Sequence, residues 1–297
     1  MTPLEPDLVA AKAFILGAGR LVDRRRFAFH FEAGEAGDVV AAVRAYQNAD
    51  GGFGNALEPD LRGTHSQPVP LELALALLDE VGDLAAEIVL RACDWLTSVS
   101  TASGGVPFVL PSVVEGPHAP WWVATGAASL NPTAGIAGIL HKHDVRHAWV
   151  RDATEFCWEE LAQSMDRLGA HDAASVLVFL EYVPERDRAE AVFARLAERL
   201  LGGLVTTDPS AGGDVKTPLA LAPEPGRLAG RLFDDATIGA QLDALAAGQQ
   251  DDGGWPLGWE PPSAAAVEEW RAFVTVESLR VLDAYGRLPP KAGQSSG

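Results

Sequence analysis

The sequence predicts an all-helical protein, and three observations predict it. Apolar residues recur at helical spacing along most of the 297 residues, and no segment alternates with period two long enough to demand a sheet. A segment of the form Gln-x-x-Asp-Gly-Gly-aromatic occurs twice, with a degenerate third copy between. Short, mostly apolar segments alternate with longer amphipathic ones, as buried inner helices and half-exposed outer helices would.

The repeat reads Gln47-Asn48-Ala49-Asp50-Gly51-Gly52-Phe53 near the start and Gln249-Gln250-Asp251-Asp252-Gly253-Gly254-Trp255 near the end. The degenerate copy is Ser103-Gly104-Gly105-Val106-Pro107-Phe108, after Cys93-Asp94-Trp95-Leu96. An apolar helical stretch leads into each full copy, Val39 to Tyr46 and Ile238 to Ala247. The glutamine can bond backbone groups left over at helix ends. The aspartate and glycines turn the chain back, with glycine supplying positive φ at no steric cost. The aromatic then covers the exit and packs on the next helix. Such units cannot bury their apolar faces alone and must stack.

Taken in order, Leu8 to Val22 has helical periodicity and fits either an inner or an outer position. Phe27 to Phe31 fits a short strand or a packed loop. Gln67-Pro68 opens a helix over Leu71–Leu78 that stops at Gly82, and Asn131-Pro132 opens one over Ile136–Leu140 that stops at His141. His171-Asp172 opens a helix over Ala173–Leu180, and Phe273-Val274-Thr275 opens one over Leu279–Leu282. Proline near a first turn and glycine beyond the last follow the usual asymmetry. The amphipathic segments Leu84–Leu96, Ala148–Leu161 and Asp187–Leu201 fill the outer positions. Gly202 to Arg231, rich in glycine and proline, supplies no inner helix.

The Gln-x-x-Asp-Gly-Gly-Phe/Trp segments resemble the "QW" repeats of the terpenoid cyclase and protein prenyltransferase superfamily. Gly52 through Glu58, His65-Ser66-Gln67 and Leu73–Leu78 are similar to the loop and inner helix that follow such a repeat in squalene-hopene cyclases. The motifs cover about a fifth of the chain. The resemblance implies an α/α toroid over residues 1–290, an inner and an outer ring of helices that is incomplete or irregular at Gly202–Arg231. Residues 291–297 are expected to form a disordered tail.

With 23 basic and 41 acidic residues the net charge is −18, a field that opposes nucleic acid and anionic membrane surfaces. Arg24, Arg25 and Arg26 read as a solvated helix end. Cys93 and Cys157 make neither a disulfide framework nor a metal motif. No signal-peptide pattern opens the chain and no apolar run is long enough to span a bilayer, so a cytoplasmic protein without an integral membrane segment is expected.

In a toroid of this kind the inner-helix N-termini and the long loops converge on one mouth. Placed there are Glu58, Asp60, Arg62, His65 and Gln67; Trp121, Trp122 and Asn131; His171 and Asp172; and Trp255, Trp259, Trp270 and Arg271, the last two expected in a loop. Tryptophan faces and a few carboxylates suit a cationic intermediate, although the same tryptophans could simply plug the ring. Glu58-Pro59-Asp60, with Arg62 and His65 close by, is the acidic pair that environment could split into acid and base, or a salt-bridged loop. The cyclases' Asp-x-Asp-Asp acid motif is matched only by Leu232-Phe233-Asp234-Asp235. Its first aspartate is missing, and Asp234, which would be the donor by the motif, reads rather as a plain helix N-cap. His141, His143 and His147 do not share a helix face and read as a solvated helix end; no metal site is expected. Nor is a cofactor, except magnesium if the substrate is a diphosphate.

The resemblance therefore implies a small apolar or isoprenoid substrate and acid-initiated cyclisation or isomerisation. The alternatives are a non-catalytic binding toroid and a glycan-active α/α barrel using paired carboxylates.

Overall fold

A computed structural model of the chain describes residues 5–211 and 215–289. Their regular structure is helical, with isolated β-bridges in the loops and no strand among the described residues. The helices are α1 (Leu8–Ala18), α2 (Leu21–Phe31), α3 (Ala36–Arg44), α4 (Pro68–Glu80), α5 (Ala86–Val99), α6 (Leu130–Lys142), α7 (Ala148–Ser164) and α8 (Ala170–Tyr182), followed by α9 (Arg186–Arg199), α10 (Pro218–Leu221), α11 (Asp235–Ala247) and α12 (Ala264–Ala284). The expected tail, residues 291–297, lies outside the described residues. No described helix is long and apolar enough to cross a membrane.

Three expectations are corrected. Phe27–Phe31 is neither strand nor loop but the last turns of α2, which begins after Arg20, whose backbone N–H and side chain both bond Asp23. Arg26 is fully buried rather than solvated, paired with Glu277 and stacked 4.5 Å from the Phe273 ring centre. Helix α12 starts at Ser263, whose side chain caps Ala266, so Trp270 and Arg271 lie on a helix and not in a loop. Among its described residues the Gly202–Arg231 stretch holds the four-residue α10 and parts of two short helical turns, Leu200–Leu204 and Leu228–Leu232.

The chain divides into two compact units, Val39–Leu204 and the two flanks up to Asp38 and from Val205. In the flanking unit Ala11, Ile15, Phe27, Leu242, Trp255, Val276 and Leu279 share one apolar core. In the central unit α6 is buried along Pro132–Leu140. It reaches α8 closely because Gly138 has no side chain: a Cβ there would stand 2.6 Å from the Val178 carbonyl.

The three repeat turns have one construction. Gly51, Gly104 and Gly253 all have φ between 89° and 97°. The first glycine of each pair presses on the backbone of another helix, at Arg91 of α5, Asp152 of α7 and Ala10 of α1 respectively. The second glycine packs on an aromatic one helical turn later: Trp95, Phe156 and Phe14. The residue opening the turn reaches one turn earlier. Gln47 donates to the Ile88 carbonyl (3.0 Å), Gln249 to that of Asp7 (2.9 Å), and Ser100 accepts the Trp149 indole N–H (2.8 Å). The exit residue then meets a further helix: Val106 and Trp255 each donate their N–H to a buried threonine, Thr133 of α6 and Thr275 of α12, at 3.0 Å.

Candidate functional site

After the first repeat the chain enters a loop under backbone strain. Asn55 and Ala56 both have positive φ, 58° and 61°, a region non-glycine residues visit rarely. Asn55 is held there by its N–H to the Gly63 carbonyl (3.0 Å) and its amide to Asn48 Oδ1 (3.0 Å). Glu58 and Asp60 follow, 6% and 3% exposed. Among the described residues the only other buried carboxylate is Asp23, which is ion-paired with Arg20 and Arg26.

A second loop closes over the first. The Ala119 N–H bonds the Asp60 carbonyl (2.9 Å) and the Arg62 N–H bonds that of Pro117 (2.8 Å). Gly63 and Gly116 cross where a side chain on Gly116 could not fit. Gln67, at the start of α4, donates to Ser112 Oγ (2.9 Å) and accepts from the Leu110 N–H (2.7 Å). His65 lies 3.4 Å from Glu115, both exposed. Beside the carboxylates stands an apolar wall of Leu61, Val109, Val113, Ala119 and Trp122, with Phe108 5.1 Å from the Trp122 ring. Trp122 is buried, and its indole N–H has no partner among the described residues.

The sequence-predicted residues thus divide. Glu58, Asp60, Arg62, Gln67 and Trp122 come together in the two packed loops, with His65 at their rim. Trp121 is 44% exposed. Asn131 sits at the start of α6 with non-helical dihedrals. At the start of α8, Asp172 takes the Gly169 N–H (3.2 Å), and His171 beside it is exposed.

The remaining candidates belong to the flanking unit. Asp234 caps α11 by accepting the Thr237 N–H (2.8 Å), and hydrogen bonding from the Thr237 side chain and backbone holds its carboxyl below the ordinary range. Trp255 is buried, its indole bonded to the Leu245 carbonyl (2.7 Å), so it plugs the core. Arg271 clamps Asp252 and Gln250 of the repeat turn. Trp259, Trp270 and Phe273 form an edge-to-face row with centroids 5.3 and 5.4 Å apart, continued by Arg26 over Phe273.

The three histidines go to three different partners: His141 to Thr154, His143 to Asp79 and His147 to Asp94. No three His, Cys, Asp or Glu of the described residues gather as a metal-holding group. Both cysteines are free and buried; burial pushes the Cys93 thiol up to about 12 and that of Cys157 upward as well.

Two residues that tie helices together escape sequence reasoning. Glu72 of α4 reaches Gly135 of α6, and Ser175 of α8 lies 3.4 Å from its carboxylate. Glu277 of α12 is the partner of Arg26. For Glu72 the signal that could find it is a lone charge in an otherwise apolar stretch, whereas α12 carries several charges around Glu277 and gives no such signal.

No protein-family model and no curated protein matches the sequence. A crystal structure of a protein from Actinoplanes has a similar fold, with a TM-score of 0.59 at 18% identity over 94% of this chain and 99% of that one. At that identity the likeness concerns the fold alone.

Proposed function

We propose that the helical hairpins close into an α/α toroid and that the protein binds a small apolar, isoprenoid-type substrate against the Glu58–Asp60 loop, where a carboxyl starts an acid-initiated cyclisation or isomerisation. For the ring, support comes from the repeat turns, each of which docks on a further outer helix, with the C-terminal turn docking on α1. For the chemistry, one observation carries the reading: Glu58 and Asp60 are buried in an acidic chain that otherwise leaves almost all its carboxylates in water. Burial disfavours a charged carboxylate, which is what a proton donor needs. The adjacent strained residues Asn55 and Ala56 point the same way, since such strain concentrates at functional sites.

In the proposed step Asp60 gives its proton to an alkene carbon: its O–H bond breaks and the π pair forms the new C–H bond. An internal double bond closes on the cation, or the cation stays uncyclised. Loss of a neighbouring proton to water or to Glu58 restores a double bond, so the product is an isomer of the substrate. Trp122 and Phe108 offer ring faces to the cation.

The test is incubation with squalene and with farnesyl diphosphate, with products resolved by gas chromatography and mass spectrometry. Products of unchanged mass from the wild type, lost in Asp60→Asn or Glu58→Gln at unchanged melting temperature, are expected. Binding of a probe without turnover would leave a non-catalytic binding toroid. Loss of activity in Asp234→Asn alone would move the acid to that residue.

A further inference from the structure

Outside the two packed loops, the central unit has a groove of about 630 Å³ between α7 and α9, over the end of α6, a volume within the range of small-molecule sites. Along α7 its charges are sorted, while Arg188 of α9 stands beside the acidic stretch, over Trp158. Arg146 and Arg151 lie at the N-terminal end of α7, where the helix dipole adds positive charge. Glu155 and Glu159 follow Arg151 at intervals of four on the same helical face, and Glu185 faces them from the α8–α9 turn. By helix rise the two ends are about 12 Å apart.

Arg151 pairs with Asp152 (2.8 Å), but most of these charges are not used by the fold. Arg146, Glu155 and Glu159 make no ion pair or hydrogen bond among the described residues, and two like charges four apart on a helix cost stability. Arg188 lies over the Trp158 ring, 4.4 Å from its centre, and has no carboxylate partner among the described residues. Trp158 is 4% exposed, and its indole N–H has no partner among them either.

The floor adds a fixed acceptor. Thr154 has one hydroxyl proton, which it gives to the Val150 carbonyl at 2.6 Å. It therefore accepts from His141, whose Nε2 is 2.8 Å away. Burial holds the imidazole below its usual range, against the pull of Glu185 and Asp144, so the ring is neutral and Nδ1 carries the lone pair. The walls are firm: Arg186 ties the α8–α9 turn to the carbonyls of Leu180, Glu181 and Val183. At the far end His147 takes the Trp149 N–H on Nδ1 and so donates Nε2–H to Asp94 (3.2 Å).

We infer that this groove is a ligand site of its own, taking a short zwitterionic peptide or peptide-like molecule with its carboxylate at Arg146 and its ammonium at Glu155 and Glu159. A simple anion would meet three carboxylates, and a simple cation would leave Arg146 unused. An extended ligand of about three residues spans the distance between the poles, and its N–H groups meet His141 Nδ1.

The experiment titrates triglycine into the ¹⁵N-labelled full chain, following backbone amides of α7 and α9 and the Trp158 indole resonance. Triglycine amide and N-acetyl-triglycine are the controls. Saturable shifts confined to the groove are expected, weakened roughly tenfold when either charged end is blocked. Arg146→Ala, an exposed position, should cost triglycine a similar factor and leave the amide unaffected. No groove shifts, or equal binding of all three peptides, would overturn the inference. So would triglycine amide binding as tightly as triglycine, which would mark a site for cations only.

Discussion

Gly51 rests against the carbonyl of Arg91, so close that a side chain at residue 51 has nowhere to go. Gly104 stands in the same relation to Asp152 and Gly253 to Ala10. The glycine pair is thus more than a chain reversal. Positive φ makes the turn, and the missing Cβ lets that turn lie on the backbone of another helix.

Substitution by alanine at Gly51, Gly104 or Gly253 should therefore combine backbone strain with a clash against main-chain atoms that cannot swing away. Each is expected to cost on the order of 1–3 kcal/mol in urea unfolding. Gly286 is the control, with φ of 67° and open space for 4 Å around the place a Cβ would take. Gly286→Ala should cost only the strain, about 1 kcal/mol. Equal losses at all four positions would sink the docking argument.

The opening glutamine should matter in proportion to its bonds. Gln249 donates to Gly253 and Asp7 and accepts the Asp7 N–H (2.7 Å), tying the last repeat to the cap of α1. Gln249→Ala should cost about 1–3 kcal/mol and speed hydrogen exchange in the first turn of α1. Unchanged exchange there would show that the tie contributes nothing.

Most of the helices are legible in the sequence because burial alternates at helical period, and the repeat turns because Asp-Gly-Gly has few backbone alternatives. Phe27–Phe31 misleads because its aromatics alternate locally, while the cap that sets α2, Arg20 with Asp23, lies outside that window. Arg26 looks like surface in a triplet of arginines; its burial depends on Glu277, 251 residues away, which no local pattern reveals. Of the candidate site, the carboxylates and Gln67 can be read from their place after the repeat. The second loop cannot, since the crossing of Gly63 with Gly116 is a tertiary fact.

Asp252 gives a prediction in pH. Chiefly through the Arg271 hydrogen bond, and also through the Gly254 N–H, its carboxyl is held below the ordinary range. A folded value below the unfolded one contributes stability above about pH 4, and that contribution is lost as pH falls through the folded value. The melting-temperature gap between wild type and Asp252→Asn should be widest near neutrality and close in acid. It should also shrink in high salt, because the Asp252 side chain is 48% exposed. A gap that does not change with pH would mean that the charge is irrelevant.

Glu72 and Gly135 make the sharpest test of the central unit. The Glu72 carboxylate occupies the space that a Cβ on Gly135 would need, and Ser175 holds it from α8. Glycine inside a helix is normally a cost, about 1 kcal/mol relative to alanine, so its presence in the middle of α6 requires a reason. If the reason is Glu72, Gly135→Ala in the wild type should destabilise by about 1–3 kcal/mol, since the carboxylate must leave its place. In a Glu72→Ala background the obstacle is gone. There the same change should be neutral or stabilising by up to about 1 kcal/mol, through helix propensity alone. The cycle should therefore give a coupling of at least about 1 kcal/mol, well above the additivity error for independent sites. Additive losses would mean that Gly135 answers to the backbone packing of α6 and that Glu72 takes no part in it.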